Sequence, residues 1–383
     1  VIYDVRQFGA AGDGWTRDTA AIQRAVDAAH DAGGGVVVLP PGVYVSGTIE
    51  LRSCVTLELT PGATLLGSPD LANYPPDGPA RGDRHGRQLL RARGARRVGI
   101  RGGGVIDGNG PAFWESHPSA TPPGTWIRAK PHRVSPMIEL DDCADVRIEN
   151  VDIVNSPGWT VHLRQCDFVW VRGVRVDNAL FGPNTDGFDV NGCRDVMISD
   201  CHVSCGDDAI VLKSTRDARA CERVTVTNCV LRSNCVAFKC GTESWHGFRQ
   251  IAFGNSIVHA SHRAIGLYLL DGGAIEGVTI SNVVCDTLCG LPLARPIHID
   301  ARKRPPLAGA YDARPLDEQP AGEIRDVRIS DVTARTDGRV LLTAADGCRV
   351  RGVTLRGLSL TYPSIEDPEP LAAGARSAQF SNA

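Results

Sequence analysis

Three aspartates have the types and spacing to do chemistry. Asp207 and Asp208 are adjacent in "SCGDDAIVLKS", and Asp186 lies 21 residues before Asp207 in "NTDGFDVNG". Both stretches are otherwise apolar and strand-like. Carboxylates held close together cannot all ionise comfortably, so at least one keeps its proton to a higher pH. A proton retained in such a cluster is what acid/base work needs. Cleavage of a glycosidic bond, for example, takes an acid to protonate the leaving oxygen and a base to activate water. Two other uses stay open at this point: Asp is common at turns, where its side chain caps backbone N–H groups, and clustered carboxylates also bind divalent cations such as calcium.

What places these acids together is a repeat. Two variable residues, an aliphatic, any residue, an aliphatic, any residue, and then Asn, Asp or Gly recur as "ADVRIENV", "DFVWVRGV", "RDVMISDC", "ERVTVTNC", "RQIAFGNS", "EGVTISNV", "RDVRISDV" and "RGVTLRGL". The first aliphatics, Val146, Val169, Val196, Val224, Ile251, Val278, Val327 and Val353, step by 23, 27, 28, 27, 27, 49 and 26 residues. The step of 49 is one unit plus an insertion, or two units. An earlier copy starts at Val98. The period within each unit is two, which marks strands rather than helices. Short strands repeating near 27 residues with Gly, Asn and Asp punctuation predict an all-β parallel β-helix, a single elongated solenoid. Its first 40 or so residues supply the cap that an open solenoid end requires. There Ile22, Ala25, Val26 and Ala29 fall at helical spacing, with Asp18 as N-cap and Gly33 just past the end. The expected layout is a cap and first strands over 1–45, rungs over 46–362 with long loops at 110–133 and 301–322, and a C-terminal tail over 363–383.

A second column of strands reads "GWTVHL", "GFDVNG", "AIVLKS", "VAFKCG", "AIGLYL" and "PIHIDA". The residues before it form a polar stripe: Thr185–Asp186, Asp207–Asp208, Asn234–Cys235 and His262–Arg263. Asp186 is thus one rung, roughly 4.8 Å, from Asp207 and Asp208. Gly206 is read as the bend that puts the acids at the mouth of a strand.

Composition bounds the partners. The chain has 383 residues, 42% hydrophobic, with a formal charge of −3. It has no long basic block, so nucleic acid is not an expected partner, and no apolar run of membrane-spanning length. The chain opens "VIYDVRQFGAAGDG" without a visible signal peptide or an initiator Met, which leaves open an upstream segment that has been removed. Thirteen Cys, an odd number without zinc-type spacing, read as buried hydrophobes and lean towards a reducing compartment. Cys143, Cys166, Cys193, Cys221 and Cys348 align as one interior column.

"NTDG" followed by "CGDDAIVLKS" resembles glycoside hydrolase family 28, the polygalacturonase family, and "GTESWHGFRQI" is similar to its bacterial members. The likeness runs from Tyr3 to about Tyr362. It implies a right-handed parallel β-helix that hydrolyses a carbohydrate substrate with inversion and without a cofactor or metal. Asp207 would be the general acid, Asp186 and Asp208 would activate water, and Asn184 would help hold the cluster. Two motifs depart from the family. Its Gly-His-Gly loop falls near "SNCVAF", with Cys235 at the His position. Its uronate-gripping Arg-Ile-Lys falls in "AIGLYLL", where Gly266, Leu267 and Tyr268 stand, so a bidentate carboxylate clamp is missing there.

Other sugar contacts are therefore expected. His246, beside Trp245, reads as a stacking lip or as a surface turn. His262 and Arg263 are in the acidic stripe's column and either meet ligand or pair with the acids. Lys213 faces the acids or caps a turn, Trp159 floors a sugar site or packs in the core, and Tyr268 stands in place of the clamp. The loops at 110–133 and 301–322, the latter with Arg302, Lys303 and Arg304, are expected to flank the groove and favour exo action. A β-helical polysaccharide lyase and a non-catalytic carbohydrate-binding β-helix are the competing classes.

Overall fold

A computed structural model describes residues 1–363 apart from 79, 81, 123, 289–293 and 305–314. The expected tail beyond Pro363 and the middle of the 301–322 loop lie outside the described residues. The strands form a 20-stranded and a 10-stranded sheet, and the pairings between strands are parallel throughout: a parallel β-helix. Val146, Val169, Val196, Val224, Ile251, Val278, Val327 and Val353 pair in that order. Val278 meets Val327 directly, so the 49-residue step is one rung plus an insertion. Alternation decides which side chains enter the bore: Val196 and Ile198 are buried, while Met197 between them is 52% exposed.

The Asn, Asp or Gly that closes each phrase has a backbone cause. Asn150, Asp200, Asn228, Asn255, Asn282 and Asp331 all sit at φ between 50° and 58°, and Gly173 and Gly357 take the same place. A left-handed residue bends the chain there, between two strands at Asn150, Gly173, Asp200 and Asn228 and within one long strand at Asn255, Asn282, Asp331 and Gly357, and Asn, Asp and Gly tolerate it best. The side chains also stack: Asn282 donates to Asn255 Oδ1 at 3.1 Å, and Asn228 to Asp200 at 3.4 Å. The cysteine column is equally regular. The thiols of Cys166, Cys193 and Cys221 each donate, at 3.2 Å, to the carbonyl of Leu140, Leu163 and Val190 on the preceding rung. The twelve described cysteines are free thiols.

The helix Thr19–Asp31 buries Ile22, Ala25, Val26 and Ala29 against the first rungs. Asp18 stands at its N-cap position without capping it. Its carboxylate instead accepts from the backbone N–H groups of Ala11 and Gly12, at 2.7 and 3.0 Å, tying the preceding loop to the helix. Among the described residues, no helix is long and apolar enough to cross a membrane.

The left-handed column yields a stability test. Asn282→Ala is expected to cost about 1 kcal/mol, and Asn282→Gly clearly less, in denaturant melts. Equal losses would show that the side-chain ladder, not the backbone, is what Asn282 supplies.

Candidate active site

The 10-stranded sheet carries the acids. Val161, Phe188, Ile210, Phe238, Ile265 and Ile297 share its register. Two residues earlier on each rung, Trp159, Asp186, Asp208, Val236, Arg263 and Arg295 form one column. Asp208 rests directly on the Asp186 rung, with Gly187 N–H donating to the Asp208 carbonyl at 2.9 Å. Cys235, one residue later than expected, lies opposite Asp207, and His262 continues that row. Gly206 lies in a bend, as expected, but not at a left-handed φ, so the bend itself does not demand glycine. Its role is space: a Cβ there would lie 2.6 Å from Thr185 Oγ1 and 2.7 Å from the Gly182 carbonyl. That close approach brings the "NTD" turn onto the "DD" rung, and Thr185 Oγ1 accepts from Gly206 N–H at 3.0 Å.

Asp207 is held at its backbone. Its carbonyl accepts from Ser233 Oγ at 2.5 Å and from the Cys205 thiol at 3.1 Å. Asn184, left-handed at φ 49°, approaches its carboxylate at 3.5 Å and accepts at 3.0 Å from Arg133. Arg133 is buried and also donates to the carbonyls of Pro157 and Pro183, so one guanidinium braces the acidic turn from three sides.

The floor of the groove is the outward row Glu139, His162, Asp189, Val211, Lys239, Gly266 and His298. Lys239 is the residue that sequence reasoning missed. Its ammonium lies 2.6 Å from Asp208 Oδ2. Its place opposite Val211 and in line with Asp189 follows from the strand alignment of "AIVLKS" and "VAFKCG". Lys213 is buried between Asp189 at 3.5 Å and Glu243 at 3.4 Å, with Trp159's ring 4.6 Å away. Burial works against its charge, but Glu243 and Asp189 outweigh that and raise its pKa. Asp207 is raised to about 6, chiefly by burial and then by the charge of Asp208, with Lys239 and Lys213 opposing. Asp186 is pushed well above the carboxylate range by burial, Asp189 and Asp207. Asp189 rises to about 7, mainly through burial. The site therefore holds carboxyls that keep protons near neutrality beside Asp208, whose carboxylate is engaged by an ammonium.

Downstream, Tyr268 is buried with its hydroxyl 3.2 Å from His298 Nδ1. Its ring folds across Gly266, where a Cβ would meet it at 2.6 Å, so the two departures from the clamp are one arrangement. Arg263 is wholly buried, and His298 is lowered to about 3 by burial and by the charges of Arg263, Arg295 and Arg302. His246 is not brought to the acids. It is exposed at the far end of its strand, its backbone N–H on Ser214 Oγ and its ring on the Arg216 carbonyl at 3.2 Å. Asp207, Asp208 and Cys235 place one potential ligand atom each within 4.8 Å of one another. A thiol in the set and the Lys239 ammonium on Asp208 do not suit calcium, which takes six to eight oxygens.

Two segments wall the groove. Residues 83–88 cross its upstream end, stitched to Ser135 by His85 N–H at 2.7 Å and by Ser135 N–H to the Arg87 carbonyl at 3.0 Å. From this strap Arg84 and Gln88 reach the floor at Glu139, at 2.5 and 2.8 Å. His162 Nδ1 donates to the same carboxylate at 2.9 Å. Burial would raise Glu139, but His162 and Arg84 hold it at about 2. On the other side Arg304, at the start of the late insertion, bonds Glu243 at 3.3 Å and Asp271 at 2.9 Å.

Residues 80–370 match the family model for glycosyl hydrolases family 28. A probable polygalacturonase of Vitis vinifera is 32% identical over 222 residues, 55% of this chain and 44% of that protein, so the chain covers under half of that relative's length. Among solved structures, a Yersinia enterocolitica family 28 exopolygalacturonase is similar at TM-score 0.76, 22% identity and 94% of this chain against 71% of that one. A hyperthermoactive exopolygalacturonase from Thermotoga maritima is similar at TM-score 0.70 and 21% identity, covering 94% and 92% of the two chains. At these identities the structural likeness concerns the fold.

The raised pKa of Asp207 has a stability cost with a definite sign. In the unfolded chain it ionises near 3.8, in the folded protein near 6. The fold is therefore unpenalised below about 3.8, and the penalty grows to about 3 kcal/mol as pH rises through 6. Asp207→Asn is expected to melt above the wild type at pH 8 and with it at pH 3.5, by scanning calorimetry. An equal melting temperature at both pH values would mean that Asp207 is not strained.

Proposed function

Since the chain belongs to glycosyl hydrolases family 28, we propose that it hydrolyses a glycosidic bond in a pectin-type poly- or oligosaccharide. Asp207 is the general acid, Asp208 is the base that activates the attacking water, and Asp186, held protonated by burial and its acidic neighbours, helps to orient that water. The observation that carries this is the contrast between neighbours: Asp207 raised to about 6, and Asp208 ion-paired to Lys239 at 2.6 Å. Adjacent carboxyls with environments pushed apart supply an acid and a base. Lys213 and Lys239 are both held as cations by the acids around them, above their ordinary pKa. Neither suits the neutral base that a lyase needs.

The reading includes exo action. The strap occupies the floor at Glu139, three rungs, or about 14 Å, from the rung of Asp207. Only a short chain end fits between them. Inversion is the family's course. The nearest oxygens of Asp207 and Asp208 lie within 4.8 Å, closer than the roughly 6.5–9.5 Å of most inverting pairs, so stereochemistry is worth measuring directly.

Asp207→Asn is expected to lower kcat/KM by about 10²- to 10⁴-fold on pectic oligosaccharides. For the wild type, kcat/KM should fall as pH rises through about 6, where Asp207 loses its proton. Proton NMR of the first-formed anomer should show inversion, and early products should be mono- or disaccharides. An Asp207→Asn enzyme of wild-type activity would remove the assignment, and mid-chain products would remove exo action.

A further inference from the structure

The strap sets an arginine over the closed end of the groove. Arg84 stands between two backbone ties to Ser135: the Asp83 carbonyl accepts from Ser135 Oγ at 2.6 Å, and His85 N–H donates to the Ser135 carbonyl at 2.7 Å. Its side chain is anchored as well. Nε meets Glu139 Oε1 at 2.5 Å, and Gln88 takes the other oxygen at 2.8 Å. That bond uses one of the five N–H donors of a guanidinium. Nη1 and Nη2 have no hydrogen-bond partner among the described residues, and the side chain is 15% exposed, against 2% for Glu139. The fork is thus fixed in place with both Nη groups unused.

The geometry points to Arg84 as a specificity-determining substrate contact that takes the carboxylate of a terminal uronate at the closed end. This rests on the glycosidase reading above. Two Nη groups in one plane match the two oxygens of a carboxylate, and such charge-assisted pairs are strong. The clamp's own place cannot supply them, since Gly266 and Tyr268 stand there. The floor between Arg84 and the acids meets a uronate without unpaired negative charge. His162, on the rung after Glu139, is kept neutral by burial. Asp186, Asp189 and Asp207 hold their protons at pH 5, chiefly because they are buried. Asp208 is on Lys239, and Glu243 lies between Lys213 and Arg304. Behind the strap, Asp141 and Asp217 are engaged by Arg164 at 2.7 and 3.2 Å. Lys213 and Lys239 are buried against their acids, and Arg304 bonds Glu243 and Asp271 through Nη1 and Nη2, so the unused fork is the one on the strap.

The test compares, at pH 5, tetragalacturonate with the same chain carrying galactose as its non-reducing unit. Wild type should favour the uronate end about tenfold or more in kcat/KM. Arg84→Gln should cut that preference about fivefold or more, through KM rather than kcat. Arg84→Lys, which keeps the charge without the fork, should fall between the two. Arg84→Gln combined with Glu139→Gln removes both charges of the anchoring pair and should show the same loss, even where the single variant folds poorly. Saturation-transfer NMR of galacturonate and of methyl galactoside gives a readout that turnover does not enter: wild type should bind the first, and Arg84→Gln should not. Wild-type preference for the neutral end, an unchanged preference in the folded variants, or no binding of galacturonate would overturn the proposal. Loss of activity in Asp207→Asn would still uphold hydrolysis in those cases. Inactivity of wild type on both chains, with galacturonate bound through Arg84, would instead sink the glycosidase reading alone.

Discussion

Everything in this molecule depends on in-register parallel stacking. A rung can place a side chain only directly against the same position of its neighbours, about 4.8 Å away. Apolar columns profit from this, as the thiol ladder and the valine column do. Charge does not. An acid at one position of one rung is forced against whatever the next rung presents there, so Asp186 and Asp208 are neighbours by construction. The groove is the result of balancing that enforced crowding with cations drawn from the same lattice.

The balance is struck diagonally. Lys239 comes from the rung after Asp208, and Lys213 reaches between Asp189 and Glu243 on either side of its own. Lys213, Lys239 and Arg304 do not neutralise all of Asp186, Asp189, Asp207, Asp208 and Glu243, and Asp186, Asp189 and Asp207, desolvated first and crowded second, hold protons. Proton-holding acids beside paired ones are thus a consequence of burying more acids than the floor has cations to pair. Replacement of the clamp belongs to the same accounting: Tyr268 lies over Gly266 and closes the downstream floor with a neutral ring.

Much of this was legible in the chain before any coordinates. The two-residue period and the recurring Val146-type positions gave strands and register, because a parallel stack repeats its sequence as it repeats its geometry. The acid trio was legible for the same reason. What could not be read were the partners that arrive from outside the repeat. Arg133 and the strap from Asp83 to Gln88 sit in non-repeating segments, and no periodicity points from them to Asn184 or Glu139. Lys239 is within the repeat, but the alignment gives only its row and not the reach of its ammonium back across one rung to Asp208. His246 shows the reverse error: its neighbour Trp245 suggested a sugar lip, but a strand of nine residues carried it away from the acids. Asp18 had the residue type of a cap and spent its oxygens on Ala11 and Gly12 instead.

The left-handed corners have one more consequence. In the earlier rungs each joins two strands of the large sheet with barely a residue to spare, and in the later ones it bends a single unbroken strand, so that edge of the solenoid cannot be lengthened without breaking the stack. The long segments, the strap, 110–133 and the late insertion, all enter at the ends of the 10-stranded sheet's strands instead. The molecule is therefore divided into a side that conserves register and a side that is free to be rewritten. Its groove walls can be exchanged like fittings on a rail, altering what the site admits while the acids keep their alignment.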